Sequence, residues 1–256
     1  MRHVLCHYHL FKNSGSTFEA LLDKNFGERH IRFEGSFKFS KVSQDEFSRI
    51  IRNTEGLAYS SHQLNLPVPS SLDFNPLPAV FLRHPLLRLH SIYRFTVKDP
   101  STADRHMPVD AANFRAWVEE AKVNRSSLQS LSNAQTRAYS CVYGRIPVGR
   151  RSDSTGAIEY DYWQAVRNLE QVPLLARTEC FDEDVARFAE QLRPYGINFK
   201  TERQAPVNVT APDFDASVDE RLDNLLELLG DELYRFLETI NEQDLSLYAY
   251  ASRRLV

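Results

Sequence analysis

Lys12-Asn13-Ser14-Gly15-Ser16-Thr17 brings a cation, a glycine and three hydroxyls together between a short β-compatible run and a helical pattern. Free N–H groups at a helix start attract an anion, and the helix dipole adds to the attraction. Gly15 lets the backbone approach closely, Ser16 and Thr17 add hydroxyl donors, and Lys12 charges the loop mouth. The spacing is not GxxxxGK[ST], in which the lysine follows the glycines, and GxGxxG is absent. A capped turn with a surface lysine would carry the same letters. A second cluster is Arg83-His84-Pro85 through Ser91-Ile92-Tyr93-Arg94. Arg83 ends an apolar strand-like run, and Ser91 follows eight residues later, about two helical turns. The two could reach one anionic group from two sides, because a guanidinium fork donates two parallel bonds to phosphate. The alternative is an arginine that caps carbonyls inside the fold.

His62 closes a third strand-like run, in a polar cluster where it could cap the strand end. His3, His7 and His9 share parity and so one strand face, where a His-x-His pair can chelate a metal. No carboxylate or cysteine completes an obvious set, so no metal is expected. Cys6 and Cys141 read as small buried hydrophobes, and Trp117 and Trp163 as core.

These residues need elements to hold them. The periodicity predicts strands at His3–Tyr8, His30–Phe33, Leu57–Ser60, Ala79–Leu82 and Pro173–Ala176. It predicts helices through Phe18–Phe26, Asp45–Arg52, Leu86–Phe95, 110–122, 131–142, 159–171 and Glu183–Arg193. Ser14 or Ser16 is expected to cap the first helix. Leu66–Pro78, with four prolines, reads as loop, as do 98–109 and 144–156. The last third is mainly helical, with Leu222, Leu225, Leu226 and Leu229 on one face. Alternating strands and helices predict an α/β fold, a central parallel sheet covered on both faces. Ligands of such sheets gather at the carboxyl ends of the strands. The clusters at 12–17, 60–62 and 83–91 all fall at such ends.

The 256 residues fit one domain spanning 1–256. No apolar run reaches a membrane span, and polar residues break up any secretory h-region in residues 1–7, so no leader is expected there. Three scattered cysteines without a CxxC pair argue against a disulfide framework or structural zinc, and for a cytoplasmic protein. The net charge of −3 hides a split: residues 1–151 carry +8 and residues 152–256 carry −11. All eight histidines lie before residue 107. The basic half holds all three clusters, which hints at an anionic ligand there but does not by itself separate nucleic acid, phosphate or sulfate from a solvated basic surface.

Several motifs in order resemble sulfotransferases that use 3′-phosphoadenosine 5′-phosphosulfate, most closely the carbohydrate branch with the heparan sulfate 2-O and 6-O enzymes and bacterial relatives. His9–Phe18 resembles the 5′-phosphosulfate loop, H-x-x-K-T-x-G-[ST]-[ST]. Leu82–Arg94 resembles the 3′-phosphate motif, L-R-D-P-x-x-R-x-x-S-x-Y-R. Asn133-Ala134-Gln135-Thr136-Arg137 is similar to N-x-Q-T-R, Ala176–Glu183 to L-T-E-x-F-D-E, and Val207-Asn208-Val209-Thr210 to a late N-x-[ST] element. Asn13 replaces the usual threonine and His84 the usual aspartate; Asn13 still offers a backbone N–H and a side-chain amide. The resemblance implies a P-loop-nucleotide-kinase-like sulfotransferase fold with a helical C-terminal part. It further implies that Lys12, Asn13, Ser14, Gly15, Ser16 and Thr17 bind the 5′ end of the donor and that Arg83 and Ser91 hold its 3′-phosphate. Lys12 would stabilise the leaving phosphate and His62, in a place resembling G-x-H, would be the base. No metal is needed in principle. The acceptor would be a carbohydrate or small hydroxylated molecule, with Arg145, Arg150 and Arg151 available to an acidic one. A nucleotide kinase with an altered phosphate loop, or a non-catalytic anion- or polysaccharide-binding module, are the competing classes.

Overall fold

Alternation along the first strand dictates the layering. In β1 (Arg2–Tyr8), Val4, Cys6 and Tyr8 point to one side of the sheet and Leu5 and His7 to the other, and all five are buried. A strand buried on both faces belongs at the centre, and β1 is the middle strand of five. The computed structural model describes residues 1–35, 40–98, 110–142, 145–202 and 216–255. The other strands are β2 (His30–Arg32), β3 (Ala58–Ser61), β4 (Phe74–Leu82) and, after a separate two-stranded ribbon of β5 (Arg150–Arg151) and β6 (Ile158–Glu159), β7 (Leu174–Arg177). Their order is β2-β3-β1-β4-β7, all parallel.

One sheet face packs on α1 (Gly15–Phe26) and α8 (Phe181–Leu192) through Phe18, Leu21, Leu22, Phe81, Val185 and Phe188. The other meets α2 (Gln44–Arg52), α6 (Ala134–Tyr139), α7 (Tyr162–Glu170) and α11 (Glu242–Leu255) through Phe47, Ile51, Tyr139, Leu169 and Leu247. A helical layer, α3 (Pro85–Lys98), α4 (Ala111–Val123), α5 (Arg125–Leu131), α9 (Val218–Leu229) and α10 (Asp231–Ile240), closes on its own core of Leu86, Phe114, Val118, Leu225 and Leu237. The result is one α/β domain with the expected central parallel sheet. Among the described residues no helix is long and apolar enough to cross a membrane.

Four expectations need correction. Pro76 and Pro78 lie inside β4, not in a loop. β7 pairs with β4 only from Ala79, so the prolines occupy the part of β4 with a single neighbour, where a missing N–H breaks no second ladder. The helix predicted over 131–142 is shorter, α6 alone: α5 ends at Leu131, and Asn133 turns left-handed at φ 47° before α6 begins at Ala134. The Asn133 side chain compensates the break: Nδ2 donates to the Ile158 carbonyl, and Oδ1 accepts from the N–H groups of Gln243 and Asp244. The loop expected over 144–156 contains β5, which pairs with β6 beyond it. Trp163 is 67% exposed on α7 rather than core, whereas Trp117 packs on the helical layer. Cys6 and Cys141 are buried, as expected.

Candidate active site at the carboxyl ends of β3, β1 and β4

β1 ends at Tyr8, and the chain reaches the start of α1 through a loop with two left-handed non-glycine residues, Lys12 (φ 65°) and Ser14 (φ 59°). Such backbone is costly and clusters at ligand sites. Ser14 occupies the N-cap position, but its side chain makes no cap bond, and the first turn holds no acidic residue. Ser16 lies within the helix and does not cap it either, so the expected cap is absent. The first helical bond runs from Phe18 N–H to the Ser14 carbonyl. The N–H groups of Gly15, Ser16 and Thr17 therefore have no partner within the helix. Three free donors at the positive end of a 12-residue helix make an anion seat. Gly15 is required for packing: a Cβ there would fall 1.9 Å from Cδ2 of the His9 ring.

Lys12 is half-buried, with Nζ 4.9 Å from the centre of the Phe95 ring. No carboxylate pairs with it among the described residues. Burial first, and the Arg83 charge second, lower its pKa, so the ammonium lacks a counter-charge. Asn13 differs from expectation. Its N–H donates to the Leu10 carbonyl, its Nδ2 to the Phe81 carbonyl and to Gln135 Oε1, and its Oδ1 accepts from Arg88 Nε. Every donor expected to face the ligand is used inside the fold, so Asn13 shapes the loop.

His62 lies just past β3, whose Ser61 pairs with Tyr8 of β1. Its Nδ1 donates to the His9 carbonyl at 2.9 Å. A carbonyl only accepts, so the proton sits on Nδ1 and the exposed Nε2 keeps a lone pair. The His9 and His62 rings lie 3.8 Å apart. Burial, then the neighbouring His9, lower the His62 pKa, which keeps the ring neutral at pH 7.

Arg83 follows β4, on the other side of β1. One Nη donates to the Lys12 carbonyl at 3.0 Å, tying it to the loop. Its Nε lies 3.5 Å from Oε1 of Glu179, a carboxylate only 1% exposed. Burial pushes the guanidinium down to about 10, so it stays charged. Ser91 is buried in the second turn of α3. His84 does not cap α3 with its side chain; its backbone N–H donates to Glu179 Oε2, which also accepts from Tyr248.

The Asn133–Arg137 segment supports these pieces. Gln135 accepts from Arg83 N–H and donates to the Arg83 carbonyl, as well as holding Asn13. Gln135 N–H, Thr136 N–H and Thr136 Oγ1 all donate to the buried Asp244 of α11. An Asp244→Ala change orphans three buried donors. It should lower stability by at least about 3 kcal/mol, at about 1–3 kcal/mol per orphaned group. Urea unfolding checks this, and a loss below 1 kcal/mol would show that other groups satisfy those donors.

Sequence reasoning missed several members. Glu19 on α1 accepts from or donates to His9 Nδ1 at 2.9 Å, according to which of them holds the proton, and lies within 4.8 Å of a His7 nitrogen. It is the carboxylate absent from the His7-x-His9 pattern, ten residues beyond His9 and brought back by the β1–α1 turn. Glu179 was also missed; it could have been found as the acid within the Thr178–Glu183 motif. Arg145, Arg150 and Arg151 are exposed around the ribbon. The Val207–Thr210 match lies outside the described residues.

No family model matches the chain. A protein of Archaeoglobus fulgidus described as an uncharacterized protein is 28% identical over 256 residues, spanning 96% of this chain and 95% of that one.

Proposed function

We propose that the chain is a sulfotransferase, moving a sulfuryl group from 3′-phosphoadenosine 5′-phosphosulfate to a hydroxyl of a carbohydrate or related acceptor. One juxtaposition carries this reading: an uncapped helix start beside Lys12 adjoins an imidazole on paired strands, and among the described residues neither the Lys12 ammonium nor the His62 Nε2 has an ion-pair or hydrogen-bond partner. In-line displacement needs both, an electrostatic seat for the leaving phosphate and a base opposite it. The acceptor O–H passes its proton to His62 Nε2 as the oxygen bonds to sulfur. The S–O bond to the 5′-phosphate breaks, and its electron pair stays on that phosphate. Lys12 and the N–H groups of residues 15–17 stabilise this charge. Arg83 and Ser91 would hold the 3′-phosphate. The scheme calls on no metal. Its setting in a reducing cytoplasm is proposed from the three unpaired cysteines.

Calorimetric titration with adenosine 3′,5′-bisphosphate tests the reading. Binding of this product without binding of ATP is expected. Preference for ATP would favour the kinase class, and absence of binding at millimolar ligand would reject the donor assignment. A labelled-donor screen against hydroxylated acceptors then separates an enzyme from a binding module.

A further inference from the structure

Three metal-ligating side chains meet where β1 gives way to the loop before α1. His7 and His9 share parity, and their rings stack with centres 5.1 Å apart. The turn into α1 brings Glu19 against them. One nitrogen of each histidine and one Glu19 oxygen lie within 4.8 Å of one another. All of this is interior: His7 is 1% exposed and His9 8%. A single proton joins His9 Nδ1 to Glu19 Oε1, 2.9 Å apart. His7 Nε2 is buried and has no hydrogen-bond partner. Such orphans are rare in folded proteins.

A hydrogen-bond relay decides what that nitrogen carries. Asp23 is ion-paired with Arg32, so it is a carboxylate and accepts from His30 Nδ1 at 2.9 Å. Burial lowers the His30 pKa, so this ring is neutral and its Nε2 accepts from the Ser60 hydroxyl at 2.8 Å. The only Ser60 proton is then used, and Ser60 Oγ accepts from His7 Nδ1 at 3.1 Å. His7 Nε2 is left with a lone pair and no donor to meet it. Metal-bound histidines are oriented in the same way, with the second ring nitrogen donating away from the ion toward hydrogen-bonding groups. The Phe18 and Phe81 rings pack edge-on against His7 and give the site an apolar wall.

We propose that His7, His9 and Glu19 bind a divalent first-row transition ion, with zinc the best match, and that the ion clamps α1 to the end of β1. Two imidazoles and a carboxylate are a zinc donor set. Water would fill the fourth tetrahedral position from the side of Glu19, whose side chain is 17% exposed. Ligands on a tetrahedral centre with bonds of about 2.0–2.1 Å lie about 3.3 Å apart, so the set closes on an ion with about 1.5 Å of movement at its widest pair. The ion takes the place of the proton between His9 and Glu19, which passes to His9 Nε2 or to solvent. Arg32 lies 3.4 Å from the other Glu19 oxygen, and Asp23 offsets its charge, so two carboxylates surround one guanidinium before the ion arrives. The clamp sits at the base of the loop that carries Lys12 and Gly15. It takes no part in the proposed sulfuryl transfer and does not depend on it.

The test is calorimetric titration of Zn²⁺ into the chelator-treated full chain, with a melting curve for each protein. Wild type should bind one equivalent and melt higher with zinc than without it. Mg²⁺ should not bind there, since it takes oxygen ligands. Glu19→Gln keeps a hydrogen bond to His9 but removes the charged ligand; it should lose the one-equivalent binding while still folding. His7→Gln should lose it too, at a greater cost in folding, because His7 is fully enclosed. Ser60→Ala releases the His7 tautomer and should weaken zinc by about 10–100-fold, the usual size of a lost orienting partner. His62→Ala should bind zinc as wild type does. A wild type that binds no equivalent, or binding that survives Glu19→Gln, overturns the site. Loss in His62→Ala with retention in Glu19→Gln would put the ion on the candidate base and overturn it as well. Each result is independent of adenosine 3′,5′-bisphosphate binding, so the clamp and the proposed function fail separately.

Discussion

Replacing His62 by alanine should lower turnover by about 10²–10⁴-fold, the usual contribution of a positioned base, with affinity for adenosine 3′,5′-bisphosphate unchanged. The split follows from geometry. The imidazole is oriented through Nδ1 by the His9 carbonyl, and under the proposed function its Nε2 would face the acceptor while the nucleotide would sit at the Lys12 loop and beyond. The pH profile provides a second readout. As the proposed base the group would work unprotonated, and its pKa is lowered by burial and by His9. Activity should therefore hold as pH falls to the ordinary imidazole value of about 6.5 and decline only below it. Added imidazole should restore part of the rate to His62→Ala. Near-normal turnover in the variant would remove His62 from the mechanism.

Lys12→Ala is expected to cost about 10²–10³ in turnover, the size of losing one preorganised stabiliser of developing charge. Here the ground state should suffer too, since Lys12 is half-buried, without a carboxylate partner among the described residues, and beside the proposed anion seat. Bisphosphate binding should weaken by about tenfold, less than the rate, because charge on the leaving oxygen grows as the S–O bond breaks. Lys12→Arg tests position against charge: it keeps the cation but spreads it over a wider plane. Single-turnover kinetics with bound donor separate the two effects. Equal losses in binding and rate would mean that Lys12 only binds. The Lys12 ammonium lies over the Phe11 and Phe95 rings, so the alanine variant should also lose about 0.5–1 kcal/mol of stability, too little to unfold it.

Much of this site was legible because it lies on local patterns. The strand–turn–helix of residues 2–26, the histidine after β3 and the arginine after β4 depend on short-range periodicity and on where strands of a parallel sheet end. What escaped depends on long-range closure. Glu19 is invisible beside His9 until the loop turns α1 back along β1. Asn13 reads as a ligand donor in a motif, yet three elements compete for its side chain and win it. The failures in the fold have the same origin. Prolines argue against a strand unless one edge of that strand lacks a neighbour, and the helix break at Asn133 is compensated by groups more than a hundred residues away.

The strand order β3-β1-β4 has a consequence for how reactants must approach. Adjacent strands are spaced by about 4.8 Å, so under the proposed function the sheet would act as a ruler with three marks: base, sulfuryl seat, and terminal phosphate seat, with about 10 Å between the outer two. A donor lying across the marks covers β1 and β4 and leaves only the β3 side open. The acceptor would then enter from the β2 edge, and its reactive hydroxyl would be selected by reach along one direction rather than by a pocket surrounding the whole molecule.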